Sequence, residues 1–160
     1  MFKKIFGLIL FISLGIVLQA QEINKYQEVK WLTWNEAYPQ FKKSNKILLI
    51  DVYTDWCGWC KKMDKDTYAK PEVANLINKH FIAVKFNPEK TDIVYQVDDQ
   101  KWNGRQLHYN LVQGQSSGFP TTIFLFKNDK GATVYLEPGY KDAVNFTTIL
   151  NKYISMQNGN

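Results

Sequence analysis

Cysteine is scarce here: the 160 residues hold two, Cys57 and Cys60, three positions apart. Two thiols cannot supply the several bridges on which a small disulfide-stapled scaffold depends, so the fold must rest on a packed core. Histidine is as rare, and His80 and His108 stand in unrelated parts of the chain. They match poorly the second half of a zinc site begun by a Cys-x-x-Cys pair, and no metal is expected. Five prolines and nine glycines exclude collagen-like and Pro/Gly-rich disordered chains. Internal repeats and low-complexity tracts are absent. The surplus of one charge sign is small, 20 Lys and Arg against 15 Asp and Glu, and gives no case for nucleic acid as a partner.

Apolar residues are plentiful instead, at 45% with 15% aromatic, enough to bury the core of one compact domain. The first twenty residues differ from the rest. Lys3 and Lys4 precede an apolar run from Ile5 to Leu18, broken by Gly7, Ser13 and Gly15 and followed by Gln19-Ala20. A basic head, a short apolar middle and a small residue describe a secretory signal peptide cut after Ala20. The competing reading is a retained anchor, but the run of 14 residues is shorter than the roughly 20 that span a bilayer. Residues 1–20 are therefore read as a leader, and 21–160 as a soluble domain that is periplasmic or otherwise exported. Loss of Lys3 and Lys4 lowers the formal charge from +5 to +3.

Thr33-Trp34-Asn35-Glu36 has the form of a capping box and predicts a helix over about 34–44. Ile47 to Tyr53 is a nearly continuous apolar run, the mark of a strand buried on both faces, interrupted by Asp51. Helix is expected from Gly58 to about Tyr68 and again from Pro71 to Lys79, then a strand from Phe81 to Phe86. Thr121–Phe126 and Ala132–Leu136 flank a turn at 128–131 and read as an antiparallel hairpin. Asp142 caps a last helix whose Ala143, Phe146, Leu150, Tyr153 and Ile154 form one apolar stripe. The connection over 87–118 is too long for a bare loop. Its Asn103-Gly104 pair, between Val94–Val97 and Leu107–Tyr109, predicts an inserted hairpin turning there. The order predicts an α/β fold with helices around a mixed sheet.

Three chemistries use a Cys-x-x-Cys pair. As a structural staple it closes so short a loop that the gain is small, about 2 kcal/mol in the entropic account. As a metal site it lacks its other half. Redox exchange suits the placement. Cys57 follows a buried strand and opens a helix, where free amides and the helix dipole favour a thiolate. Cys60, one turn later and expected to be the more buried, is within reach to resolve a mixed disulfide.

Trp56-Cys57-Gly58-Trp59-Cys60-Lys61 after an apolar strand, with Gly118-Phe119-Pro120-Thr121 before the next hairpin, resembles the thioredoxin superfamily over roughly 44–155. Asp55-Trp56-Cys57, Lys61-Lys62-Met63-Asp64 and Gly139-Tyr140-Lys141-Asp142 are similar to the periplasmic thioredoxin-like domains of transmembrane thiol:disulfide interchange proteins and their free-standing relatives. The resemblance implies a thioredoxin fold and thiol-disulfide exchange with no cofactor beyond the cysteine pair. It implies a cis peptide at Pro120 beside the site, Asp51 as the buried carboxylate that moves a proton to and from Cys60, and Lys85 as its partner. Trp56, Gly58, Trp59, Phe119 and Pro120 are expected to dock substrate, which would be a protein disulfide or thiol. The reducing direction is expected, fed by a membrane-embedded electron donor, with the chain a monomer. The alternatives are an oxidase or isomerase, and a binding module that keeps the fold and uses the tryptophan-rich mouth to hold chains. Gly58-Trp59 departs from the Gly-Pro of reducing thioredoxins and the Pro-His of strong oxidants, so the motif itself gives no direction. The insertion at 87–118 is the second departure, either a partner surface or a cover for a sheet edge.

Overall fold

The computed structural model describes residues 28–115, 117–129 and 131–159. The expected leader lies outside them. The first strand, β1 (Trp31–Leu32), is too short to give a sequence signal. Helix α1 (Trp34–Lys43) begins at the expected capping box: the Thr33 hydroxyl accepts from the Glu36 amide and the Glu36 carboxylate accepts from the Thr33 amide. Such a cap contributes about 1 kcal/mol. Strand β2 (Ile47–Val52) is buried at every position, as its unbroken apolar run requires.

Helix α2 (Gly58–Met63) does not continue to Tyr68 as one α-helix. It widens at Asp64–Tyr68 into a π-helical turn, in which the Ala69 amide reaches back to the Asp64 carbonyl at 3.0 Å. Turns of this kind insert one residue per turn and re-aim side chains, often at functional sites. Helix α3 (Pro71–His80), strand β3 (Phe81–Phe86), strand β6 (Thr121–Asn128), strand β7 (Gly131–Pro138) and helix α5 (Ala143–Asn158) follow the predicted order, α5 capped by Asp142.

The insertion does hold a hairpin, but not where Asn103-Gly104 placed it. Strands β4 (Tyr95–Val97) and β5 (Gln100–Trp102) turn at 98–99, with Asp98 in the left-handed region. Asn103 instead caps helix α4 (Gly104–Leu111) in a second capping box with Gln106. The Asn-Gly pair signals two structures equally well, and here the cap prevails because Gln106 stands at the third helical position. Gly104 has a packing reason of its own: a Cβ there would lie 2.5 Å from the Pro88 carbonyl oxygen.

The five-stranded sheet runs in the order β1-β3-β2-β6-β7, parallel across the first three strands and antiparallel beyond. Period-two alternation splits β2 between two cores. Leu48, Ile50 and Val52 join α1 and the insertion through Phe41, Leu107 and Leu111. Ile47 and Leu49 join the opposite layer through Met63, Ile77, Phe146 and Tyr153. Asp51 falls by the same alternation on that second face, under α2, and Lys85 follows Phe81 and Ala83 onto it from β3.

Candidate functional site: a cysteine pair over a buried carboxylate

Cys57 is the residue before the first turn of α2, with extended backbone, and its Sγ accepts the Cys60 amide at 3.0 Å. This is the free-amide environment that favours a thiolate at a helix start. The two sulfurs are joined in a disulfide, with the Cα atoms 5.3 Å apart. In this oxidised pair the expected difference in burial is not seen: Cys57 and Cys60 are 4% and 3% exposed. The exposed surface of the motif comes from Trp56 and Trp59, at 67% and 59%.

The peptide between Phe119 and Pro120 is cis. Phe119 meets the Trp56 ring edge-on at 5.8 Å between centroids, so the Pro120 loop and the start of the cysteine motif share one aromatic contact. The other face of Phe119 stacks on His108 from α4 at 5.9 Å. Trp59 leans on Tyr140 at 5.5 Å. A Cβ on Gly58 or Gly118 would meet nothing within 4 Å, so both positions leave open space beside the disulfide. The motif's flank is held by the segment that follows β3. Asp55 pairs with Lys90 at 2.8 Å and accepts from Asn87, while the Trp56 indole donates to Glu89 at 2.9 Å.

Beneath lies Asp51, 1% exposed. Its Oδ2 is 2.5 Å from the Lys85 ammonium, directly across the β2–β3 register, and its Oδ1 accepts from the Tyr68 hydroxyl at 3.2 Å. Tyr68 also meets the Thr122 hydroxyl at 3.2 Å. Burial pushes the Asp51 carboxyl above the ordinary carboxylate range, and the Lys85 charge only partly offsets it. Burial alone would lower Lys85, but the Asp51 and Asp64 carboxylates overcome this and hold its ammonium above the usual lysine range. Tyr68 is pushed well up by burial and the Asp51 charge, and stays a neutral donor.

The sequence-predicted site residues fall into two groups: the buried Cys57, Cys60 and Pro120 with Trp56, Gly58, Trp59 and Phe119 around the disulfide, and Asp51 paired with Lys85 in the sheet beneath α2. Sequence reasoning missed Asp64 and Tyr68, because only the widened turn aims both at Lys85, and a regular helix was expected there. It also missed Glu89 and Trp31, whose contacts cross 33 and 54 positions without a spacing signal. Among the described residues no group of three or more His, Cys, Asp or Glu side chains is arranged to hold a metal ion.

A mixed sheet of this order, a Cys-x-x-Cys disulfide opening a helix and a cis-proline loop beside it define a thioredoxin-fold protein of the thiol-disulfide oxidoreductase class. The family model Thioredox_DsbH, described as "Protein of unknown function, DUF255", matches residues 18–158, and the chain belongs to that family. It is 28% identical over 131 residues to human spermatogenesis-associated protein 20, covering 78% of this chain but 15% of that protein. With the disulfide bond reductase DsbH of Chlamydia pneumoniae it shares 29% over 115 residues, 69% of this chain and 65% of the relative. With the thiol:disulfide interchange protein DsbD of Photorhabdus laumondii it shares 25% over 129 residues, 81% of this chain and 19% of the relative. The chain therefore spans a small fraction of several of its curated relatives.

Among solved structures, a thioredoxin from Thermus thermophilus superposes with a TM-score of 0.63 at 16% identity, covering 79% of this chain and 88% of that one. A DsbH oxidoreductase superposes at 0.58 and 20% identity, covering 81% and 86%. At these identities the likeness is one of fold.

Proposed function

We propose that the chain is an exported thiol-disulfide oxidoreductase that reduces protein disulfides. The observation that carries this is the position of Cys57, with the Cys60 amide on its sulfur and the cis-Pro120 loop alongside. In the reduced protein the Cys57 thiolate attacks a substrate disulfide, forming a mixed disulfide and releasing one substrate thiolate, which takes up a proton. Asp51 removes the proton of Cys60. The resulting thiolate attacks the Cys57 sulfur, closes the internal disulfide and releases the second substrate thiol, so two electrons pass to the substrate.

Trp56, Trp59 and Phe119 offer apolar area around the disulfide, and the open positions at Gly58 and Gly118, the latter next to the cis-Pro120 loop, leave room for an extended substrate chain. No cofactor beyond the cysteine pair enters these steps. The names of the relatives, a disulfide bond reductase and thiol:disulfide interchange proteins, support the reducing direction. Reduction in an oxidising compartment requires an electron source, and a membrane-embedded dithiol donor meets it. No helix among the described residues is long and apolar enough to cross a membrane. On this reading residues 1–20 are a cleaved leader, 21–160 the working domain, and the protein a monomer.

The test is reduction of a disulfide-bonded protein by the pre-reduced chain. Turnover well above that of Cys57→Ser is expected, and equal rates would overturn the proposal.

A further inference from the structure

Lys85 is enclosed more completely than its ion pairs require. Its ammonium lies 4.9 Å from the centre of the Trp31 ring, 5.2 Å from Tyr53 and 5.3 Å from Tyr68. Trp31 comes from the two-residue strand β1 and stands edge-on to Tyr68 at 5.0 Å. Two clefts flank it. One, about 290 Å³, is lined by Glu28, Trp31, Asp64, Tyr68 and Lys85; the other, about 370 Å³, by Trp31, Tyr53, Lys85 and Asn87 among others. Trp31 and Lys85 are the two residues common to both. The indole therefore stands between the two clefts and covers the side of the ammonium that faces it.

The way from Asp51 to water runs past that ammonium. Its side chain is 2% exposed, that of Lys85 22% and that of Asp64 46%, so exposure rises along the ion-paired series. The charged and titratable groups facing Asp51 are Lys85 from β3 and Asp64 and Tyr68 from the turn after α2, while β6 presents the neutral Thr122 hydroxyl. Of the groups that touch Lys85, Trp31 is the one supplied by an element with no part in the cysteine motif or the sheet centre.

We propose that Trp31 is a positioning residue that covers one side of Lys85, limits the water around it and so controls how the proton on Asp51 reaches solvent. This rests on the reading of Asp51 as the group that takes the Cys60 proton. In the transfer, the Asp51 proton leaves on water in the cleft that Lys85 and Asp64 line, while Lys85 stays an ammonium and pairs with the carboxylate that forms. An aromatic face stabilises the ammonium without offering it an acceptor, which keeps the exit on the Asp64 side.

The experiment compares wild type, Trp31→Leu and Trp31→Phe in two readouts: the carbon-13 NMR titration of the Asp51 carboxyl, assigned with Asp51→Asn, and the pH profile of Cys60-dependent resolution of a mixed disulfide. Leucine keeps apolar packing but removes the ring face, admits water and moves the Asp51 titration down. The limb of the profile moves with it by about half a pH unit, a rate change of about threefold at fixed pH on that limb. Phenylalanine, the variant safest for folding, gives a smaller shift of the same sign. An Asp51 titration unmoved in both variants overturns the proposal. If the titration moves but the limb stays, and Asp51→Asn also leaves the limb in place, control of the proton path is overturned. In that case the fault lies in the proton role given to Asp51, since Trp31 still sets the electrostatics.

Discussion

Lys85 and Asp51 stand opposite each other on adjacent parallel strands, ammonium to carboxylate at 2.5 Å, and the carboxylate still ionises with difficulty. Burial outweighs the pair because one partly exposed cation, shared with Asp64, cannot repay the full desolvation of a carboxylate held under α2.

The first prediction concerns stability against pH. An acid that ionises less readily in the fold than in the unfolded chain costs stability as pH rises. The unfolded chain loses its proton first, from about pH 4, and the penalty is complete once Asp51 ionises in the fold. Lys85 adds no pH dependence across this window, because its raised value yields stability that is fully present here and lost only in strongly basic solution. Asp51→Asn should therefore melt higher than wild type at neutral pH, with the gap shrinking toward pH 4. Thermal melts at several pH values check this, and a pH-independent gap speaks against it. The same variant should resolve mixed disulfides about 10²-fold more slowly, having lost its general base.

Lys85→Met should act in the opposite sense. Without the ammonium, Asp51 is buried with no charge partner, so its carboxyl rises further and stays protonated over more of the neutral range. The resolving step should then demand a higher pH than in wild type. Stability at neutral pH should fall by about 1–3 kcal/mol, less than for most broken buried pairs because Asp51 escapes by holding a proton. Stopped-flow rates across pH 5–9 and chemical denaturation give both numbers.

Gly104→Ala probes the join between the insertion and the segment that braces the cysteine motif. The new methyl would meet the Pro88 backbone at 2.5 Å, and backbone cannot rotate away as a side chain would. A loss of about 1–3 kcal/mol is expected, the usual cost of overpacking. Asn103→Ala, one residue earlier, removes the helix cap alone and should cost about 1 kcal/mol. If alanine at 104 were as mild as at 103, the close approach would not be a constraint on this fold.

These two residues also mark where the sequence was legible and where it was not. Local signals carried well: the Thr33–Glu36 cap, the Ile47–Val52 run and the stripe of Phe146, Leu150 and Tyr153 each depend on neighbours within a few positions. Asn103-Gly104 satisfied two local rules at once, and only the packing of α4 on Pro88 decides between them. The cysteine pair was readable because its two members are one helical turn apart. The shell around Lys85 was not, since Trp31, Tyr53, Asp64 and Tyr68 reach it from separate elements, two of them through a widened turn that no residue preference announces.

The direction of electron flow is tested by the reduction potential of the Cys57–Cys60 pair. Oxidants of this fold hold a strongly stabilised thiolate, which makes their disulfides easy to reduce and places them near −120 mV, while thioredoxin lies near −270 mV. The reducing role proposed for this chain requires a value toward the thioredoxin end, about −270 mV. Equilibration against glutathione, followed by the fluorescence of Trp56 and Trp59 on either side of the disulfide, gives it directly. The difference of about 150 mV between the two outcomes is about 7 kcal/mol for a two-electron couple, too large for ambiguity. A value near −120 mV would make this chain an oxidant, and the membrane-embedded donor would then have no part to play.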